Sequence, residues 1–186
     1  MSQDIVSSVN RLAALALVVA GVTGCAAVPS QSPWQVSDAD RDADWSLTVG
    51  SPRSHWDAEE TILVRAVLRY IGPGDGTSFF GSGSGPLFFD LTEIGGTRAL
   101  GGGGTSDCKP YQIRADAPMV VSFGKAGGYS ADDPNAEFYR QYFSDPDLHL
   151  PPGRWILGTR AVFSMPPDCG DGRTVSLAAS VTLTVE

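Results

Sequence analysis

Residues 173–186 read RTVSLAASVTLTVE, and this stretch has the period of a β-strand. Six apolar residues occupy alternate positions from Val175 to Val185, with threonine, serine and alanine between them. Successive side chains of a strand point to opposite sides, so this alternation is typical of a strand with one buried and one wetter face. The stretch therefore predicts a long strand that covers a hydrophobic core.

The same alternation recurs toward the N-terminus. It is found in residues 153–164 (GRWILGTRAVFS), 118–124 (PMVVSFG), 86–94 (PLFFDLTEI) and 61–71 (TILVRAVLRYI), and shorter strands are predicted at 45–50 (WSLTVG) and 111–115 (YQIRA). Glycine- and proline-rich turns separate these segments, and no βαβ rhythm is present. The pattern predicts an all-β domain of about seven strands in two packed antiparallel sheets, over residues 45–186.

One short helix is predicted at residues 134–143 (PNAEFYRQYF), with Asp133 as its cap and Pro134 in its first position. Its aromatic residues form two pairs that each share a face: Phe138 with Tyr142, and Tyr139 with Phe143. Either the helix closes one end of the sandwich with an aromatic face buried, or these residues form an exposed patch that binds a partner.

A second candidate for partner binding lies in the glycine-rich segments. Twelve of the 22 glycines fall between Gly72 and Gly104, on both sides of the strand predicted at residues 86–94. Loops of this composition lose much entropy on ordering, so we expect them to be mobile in the free protein. They are either tolerated surface insertions or recognition loops with Phe79 and Phe80 as an apolar tip.

The N-terminal region has the organisation of an export signal. Residues 12–22 (LAALALVVAGV) contain no charged or polar side chain, and this run is too short to cross a bilayer, which takes about 20 residues. The following residues 22–25 (VTGC) resemble the lipobox of bacterial lipoproteins: an aliphatic residue, a small residue, glycine or alanine, then cysteine. The resemblance implies that residues 1–24 are a signal peptide. It also implies that Cys25 carries a thioether-linked diacylglycerol with palmitate-type chains, which holds the protein on the extracytoplasmic face of the cell membrane. The alternative is an ordinary cleaved signal with a chance cysteine.

A lipid on Cys25 would leave Cys108 and Cys169 as an even pair among the three cysteines. Disulfides persist outside the cytoplasm, so we expect these two residues to form a bridge. Closing a loop of about 60 residues would stabilise the fold by about 4 kcal/mol. Two free thiols or metal ligands are the alternative, but there is no CxxC, and neither His55 nor His149 has metal-ligand spacing to the cysteines. We expect no metal and no cofactor.

The formal net charge of −8 argues against a nucleic-acid partner and against a domain that lies flat on anionic lipid. Residues 25–44, which begin with the lipidated cysteine, are predicted to be a flexible linker, because prolines interrupt them and few of them could build a core. The acidic end of this linker is expected to repel an anionic membrane and hold the domain away from it. Its acids alternate as in a calcium-binding EF-hand loop, but Ala43 stands where that loop needs glycine and Val49 where it needs glutamate.

Residues 45–186 resemble the small immunoglobulin-like domains of actinobacterial lipoproteins, and are also similar to the intracellular proteinase-inhibitor family. The resemblance rests on LRYIGP at 68–73, LFFDL at 87–91 and LPPGRW at 150–155. It implies an immunoglobulin-like antiparallel β-sandwich and supplies no substrate. The cysteines depart from true immunoglobulin domains, because TSDCKP and PPDCGD read as loops. The expected bridge would join two loops and would not cross the core.

No catalytic motif is present: GSGSGP at 81–86 has Gly83 where a serine-hydrolase elbow needs serine. We therefore expect a non-catalytic, lipid-anchored surface module that binds a protein or cell-envelope partner. One alternative is a proteinase-inhibitor-like domain. Another is an extracytoplasmic hydrolase, which would require folding to bring His55 or His149 beside carboxylates in a pocket.

Overall fold

The computed structural model describes residues 34–186, so the predictions for residues 1–33, including the lipid on Cys25, lie outside the described residues. The described chain is an all-β sandwich of two sheets with one short helix, as predicted. Its elements are β1 (Val36–Arg41), β2 (Trp45–Ser51), β3 (His55–Trp56), β4 (Arg65–Tyr70), β5 (Gly76–Ser82), β6 (Leu87–Glu93), β7 (Ala99–Leu100), β8 (Cys108–Arg114), β9 (Met119–Ser122), α1 (Ala136–Ser144), β10 (Gly153–Ser164) and β11 (Thr174–Val185).

The two sheets have different sizes. The first has four strands in the order β1-β2-β4-β9, and every neighbouring pair is antiparallel. The second has the order β3-β11-β10-β5-β8, with β6 pairing with β10 and β7 pairing with β6. Strands β10 and β11 pair over 12 residues each, from Gly153 opposite Val185 to Ser164 opposite Thr174.

The period-two reading of the C-terminal stretch is confirmed, because all six alternate apolar residues of β11 are buried. All seven predicted strands are present. The structure adds four strands that were not predicted: β1, β3, β5 and β7.

Strand β1 lies inside the predicted linker, and the prediction of a flexible segment is wrong for Val36–Arg41. These residues pair with β2 along their whole length, from Val36 opposite Ser51 to Arg41 opposite Ser46. The physical reason is that the alternating aspartates of this segment have partners elsewhere in the fold.

Two of these aspartates cover an edge of β11. Strand β3 pairs with only the last two residues of that edge. The Asp38 carboxylate accepts a hydrogen bond from the amide of Ser180 at 2.9 Å, and the Asp40 carboxylate accepts one from the amide of Ala178 at 3.0 Å. Unpaired edge amides are a template for association with another chain, so these carboxylates protect the edge.

The next two aspartates form the turn into β2 and bind a single arginine. Asp42 Oδ1 accepts hydrogen bonds from the amides of Asp44 and Trp45, both at 2.9 Å. Arg173 donates to Asp42 Oδ2 at 2.8 Å and to Asp44 Oδ2 at 2.9 Å. The acidic end of the predicted linker is thus ordered and partly neutralised.

Mobile loops were expected on both sides of the strand predicted at residues 86–94. This expectation is wrong for β5, which lies in the glycine-rich segment before that strand. Its pairing with β8 needs glycine, because a Cβ at Gly76 would lie 2.3 Å from the Ile113 carbonyl oxygen. Phe79 on this strand is buried in the core. The apolar loop tip predicted at Phe79 and Phe80 is therefore wrong, and Phe80 is half-buried within the same strand.

Phe79 belongs to an aromatic cluster around Trp45 in one half of the core. The Trp45 ring is 0% exposed and meets three other rings edge-on or tilted: Phe163 with centroids 4.6 Å apart, Phe79 at 5.3 Å and Tyr70 at 5.4 Å. Strands of both sheets supply these rings, so the cluster holds the sheets together at this end.

The predicted disulfide between Cys108 and Cys169 is present, with its Cα atoms 6.0 Å apart and 61 residues apart in sequence. Only Cys169 lies in a loop, between β10 and β11, whereas Cys108 is the first residue of β8. The bridge therefore ties the edge strand β8 to the β10–β11 loop, and the prediction that it joins two loops is wrong for Cys108.

Helix α1 begins two residues later than predicted. Asn135 occupies the N-cap position, and its side chain makes no capping hydrogen bond. Asp133 caps the preceding turn, since its carboxylate accepts a hydrogen bond from the Asn135 amide at 2.7 Å.

Candidate functional site

An open cleft of about 500 Å³ lies between α1 and the segment that leads into β10. Residues from three parts of the chain line it: Glu137, Phe138, Gln141 and Tyr142 from α1, Asp145, His149, Leu150 and Pro151 from the following segment, and Ala58 and Arg98 from the sandwich. A concave site with an apolar lining and a few polar groups is the usual form of a binding site.

Helix α1 is held rigidly against the sandwich. The Tyr139 hydroxyl accepts a hydrogen bond from the Ala99 amide and donates one to the Ala99 carbonyl, both at 3.1 Å. At the C-terminal end of the helix, the Lys125 ammonium donates to the carbonyls of Tyr142 at 2.6 Å and Asp145 at 2.8 Å. Burial lowers the pKa of Lys125 and raises that of the Tyr142 hydroxyl, because both charged forms lose solvation there. The wall of the cleft is therefore preformed.

Arg98 forms one side of the cleft and is already paired. Its guanidinium binds both carboxylate oxygens of Glu93, with Nε 2.7 Å from Oε2. It also lies over two rings, 5.0 Å from the Phe138 centroid and 4.9 Å from that of Trp155. The hydrogen bonds to Arg98 lower the pKa of Glu93, and those to Glu93 raise the pKa of Arg98. The charged residues that line the cleft are one base, Arg98, and two acids, Glu137 and Asp145, so the lining carries a net charge of −1. Glu137 is also paired, with Arg140, which lies outside the lining.

Three polar side chains form a hydrogen-bonded chain at the rim. Asp145 Oδ2 lies 2.6 Å from His149 Nδ1, and His149 Nε2 lies 3.1 Å from Thr61 Oγ1. The bond from His149, with help from the Asp147 amide, lowers the pKa of Asp145. The amide of Ile62 donates to the Leu148 carbonyl at 2.8 Å, and this backbone contact places Thr61 beside the histidine.

The order hydroxyl, imidazole and carboxylate is that of an activated nucleophile, its base and the group that orients the base. A hydrolase would require His55 or His149 to lie beside a carboxylate in a pocket, and His149 does so. His55 instead contacts the Ser54 hydroxyl, 2.9 Å from its Nδ1. Thr61 does not line the cleft; it lines a neighbouring hollow with Arg65 and Asp147.

The predicted aromatic patch on the helix is largely internal. Tyr139 and Tyr142 are buried, so the prediction of exposed binding residues is wrong for them. Phe138 and Phe143 are half-buried. Phe138 lines the cleft and stacks on Trp155 with ring centroids 5.8 Å apart, and Phe143 stacks on Tyr129 at 6.0 Å. The alternative prediction, a helix that closes one end of the sandwich with an aromatic face buried, is confirmed.

Sequence reasoning named His149 for a possible hydrolase but missed the other polar residues of the cleft. The spacing of Asp145 and His149, four residues apart, was a readable signal. Thr61 and Arg98 are distant in sequence and gave none.

Within residues 34–186, no three His, Cys, Asp or Glu side chains are grouped so that they could hold a metal ion. The same described part of the chain contains no helix whose length and apolar character would let it span a bilayer. Comparison of the chain with protein-family models, with curated proteins and with solved structures finds no match in any of the three.

Proposed function

We propose that the protein is a lipid-anchored module on the extracytoplasmic face of the cell membrane, and that it binds a protein or cell-envelope partner through the cleft beside α1. The lipobox resemblance at residues 22–25 supports the anchor. The disulfide between Cys108 and Cys169 supports an oxidising compartment.

The preformed wall of the cleft is the observation that carries the binding function. Helix α1 is fixed by Tyr139 and by Lys125. Binding a partner therefore costs little entropy, because the helix is already ordered. The net negative charge of the lining, with one base, Arg98, and two acids, Glu137 and Asp145, favours a ligand with a basic group, such as a lysine or arginine side chain next to an apolar residue.

Site-specific photocrosslinking in the native host tests this function. We expect a crosslinker at Gln141, an exposed cleft residue, to give a discrete adduct, because it would touch the bound partner. Val162 is the matched control: it is 37% exposed and lies on β10 outside the cleft.

Glu137→Lys combined with the Gln141 crosslinker should remove the adduct, since it reverses the charge that attracts the basic group. Binding at the cleft is refuted if positions 141 and 162 give the same products, or if neither gives one.

The Thr61–His149–Asp145 chain supports a second candidate function, an acyl-ester hydrolase. Thr61 Oγ1 would attack the ester carbonyl, His149 Nε2 would take the hydroxyl proton and return it to the departing alcohol, and Asp145 would hold the imidazole tautomer. Water would then release the acyl group from Thr61 in the reverse sequence of proton transfers.

Hydrolysis of p-nitrophenyl acetate measures this activity. If the chain is catalytic, Thr61→Val lowers the rate about 100-fold or more, because the nucleophile is lost. Thr92→Val on β6, also an exposed threonine, is the control and should leave the rate unchanged. Equal rates for the wild type and Thr61→Val would show that the hydrogen-bonded chain has a structural role. The proteinase-inhibitor alternative stays a prediction, which an inhibition panel of extracellular proteinases can test.

A further inference from the structure

We propose that the outer face of the sheet β1-β2-β4-β9 lies flat against an anionic phospholipid surface, with Arg41, Arg65 and Arg69 toward the lipid phosphates. This inference rests on the proposed anchor at Cys25, and it identifies the part of the domain that faces the membrane. We call this surface the arginine face.

The alternation of β4 defines the arginine face. Ala66, Leu68 and Tyr70 are buried between the sheets, so Arg65, Val67 and Arg69 point outward. On β1 the aspartates at 38 and 40 turn toward β11, which leaves Arg41 on the outward side.

The strand register places the three arginines close together. Arg41 lies opposite Ser46, and Ser46 lies opposite Arg69, so Arg41 and Arg69 share a row two strands apart, a distance of roughly 10 Å. Arg65 stands four residues further along β4, roughly 13 Å from Arg69. Three guanidinium groups thus face one surface.

These three arginines have no carboxylate within ion-pair distance, unlike most other arginines in the described part of the chain. Of the ten arginines in residues 34–186, six have a carboxylate within ion-pair distance: Arg53, Arg98, Arg114, Arg140, Arg160 and Arg173. Three of the remaining four lie on the arginine face, and the fourth is Arg154 on β10. No aspartate or glutamate occupies an outward position of the four strands of this sheet. Asp147 borders a hollow beside Arg65 but makes no ion pair with it.

Apolar side chains lie between and beside the arginines. Val67 lies opposite Val120 in the β4–β9 register, and Val120 is 55% exposed. Leu63, just before β4 and of the same parity, is 52% exposed. Trp34 packs on Gly50, where a Cβ would lie 2.6 Å from the indole ring. Basic residues combined with tryptophan and aliphatic side chains match the interface of an anionic bilayer.

The position of Trp34 also limits how far the domain can stand from the lipid. Trp34 stands nine positions after Cys25, and this length of chain spans at most about 30 Å. Because Trp34 lies on Gly50, at an outward position of β2, the chain reaches the domain on the arginine face. The anchor therefore delivers this face to the membrane.

The net charge opposes the approach of the whole domain to anionic lipid, as the sequence analysis expects, but its uneven distribution favours this orientation. One of the 13 basic and one of the 21 acidic residues precede residue 34, so residues 34–186 carry 12 basic and 20 acidic side chains and a net charge of −8. Since three of the 12 basic residues belong to the arginine face, the remaining surface carries a net charge of −11. An anionic surface repels that remainder and attracts the arginine face, which orients the domain.

Vesicle binding by the processed chain, residues 25–186 with Cys25→Ser, tests the arginine face without the lipid. We expect the protein to float with vesicles of equimolar phosphatidylcholine and phosphatidylglycerol at low ionic strength, and to stay unbound with phosphatidylcholine alone. The triple variant Arg41→Gln, Arg65→Gln and Arg69→Gln should bind about 100-fold more weakly, since each arginine near the surface is worth roughly a factor of five.

A charge-matched variant separates this face from the overall charge. Arg114→Gln, Arg140→Gln and Arg154→Gln remove three exposed arginines from other surfaces and should leave vesicle binding nearly unchanged. Equal losses for the two triple variants, or no binding of the parent to the anionic vesicles, would overturn the proposal. The proposal would also be overturned if light scattering showed that the parent is a dimer and that the arginine-face variant is a monomer. A second copy of the chain would then cover the face. Mass spectrometry of Cys25 from the native host tests the anchor separately, so the two ideas can fail independently.

Discussion

Trp45→Ala is expected to lower the free energy of unfolding by about 3–5 kcal/mol, a large part of the total stability of a domain of this size. The side chain is 0% exposed, and three aromatic rings from both sheets surround it. Alanine would leave a cavity that these rings cannot fill, because they are fixed by their own strands. Urea unfolding followed by far-ultraviolet circular dichroism measures the change.

Trp34→Ala is the matched control, since the same residue type is removed from the outer face of the first sheet. We expect it to cost less than half as much as Trp45→Ala. A similar loss for both variants would contradict the assignment of Trp45 to the centre of the core. Trp45→Phe should recover part of the stability by keeping a ring in the cluster.

The double substitution Cys108→Ser and Cys169→Ser is expected to remove about 4 kcal/mol, because it releases a loop of 61 residues in the unfolded chain. For a domain of this size, that loss corresponds to a fall in Tm of about 8–16 °C. Differential scanning calorimetry checks the shift.

Reduction of the wild-type protein provides the control for the side-chain change. The reduced wild type and the double variant should melt at nearly the same temperature, well below the oxidised protein. If the reduced and oxidised proteins have the same Tm, the bridge does not stabilise the fold.

Strands could be predicted from the sequence where apolar residues alternate regularly and one face of the strand is buried. In β10 and β11 the alternating residues are aliphatic or aromatic except for Thr159, and all of these positions are buried. Such runs need no knowledge of a partner strand to be recognised. The disulfide could likewise be predicted by counting cysteines.

Strands β1 and β5 were missed because distant residues stabilise them. Aspartate disfavours strands by local propensity, and the amides that bind Asp38 and Asp40 lie 142 and 138 residues away. The glycines of β5 suggested a loop, whereas Gly76 is needed for close approach to β8. Local composition cannot report either contact.

The candidate site shows the same limit. Asp145 and His149 are close in sequence, but Thr61 is 88 residues from the histidine and reaches it through the pairing of Ile62 with Leu148. An exposed binding patch on α1 remained an alternative because sequence does not reveal which side of a short helix faces the sandwich. Arg65 and Arg69 lie on a predicted strand, but Arg41 lies in the segment predicted to be a linker, and the clustering of the three depends on the register through β2.

The closure of β1 onto β11 has a consequence for how the protein is made. The first and last described strands meet, and bringing such remote segments together is slow because loop closure must precede the contact. A polypeptide threaded through a secretion channel with its N-terminus leading would emerge at β1 long before β11 has passed. If the chain is exported as proposed, we expect it to remain unstructured during translocation and to complete its fold only after β11 has left the channel.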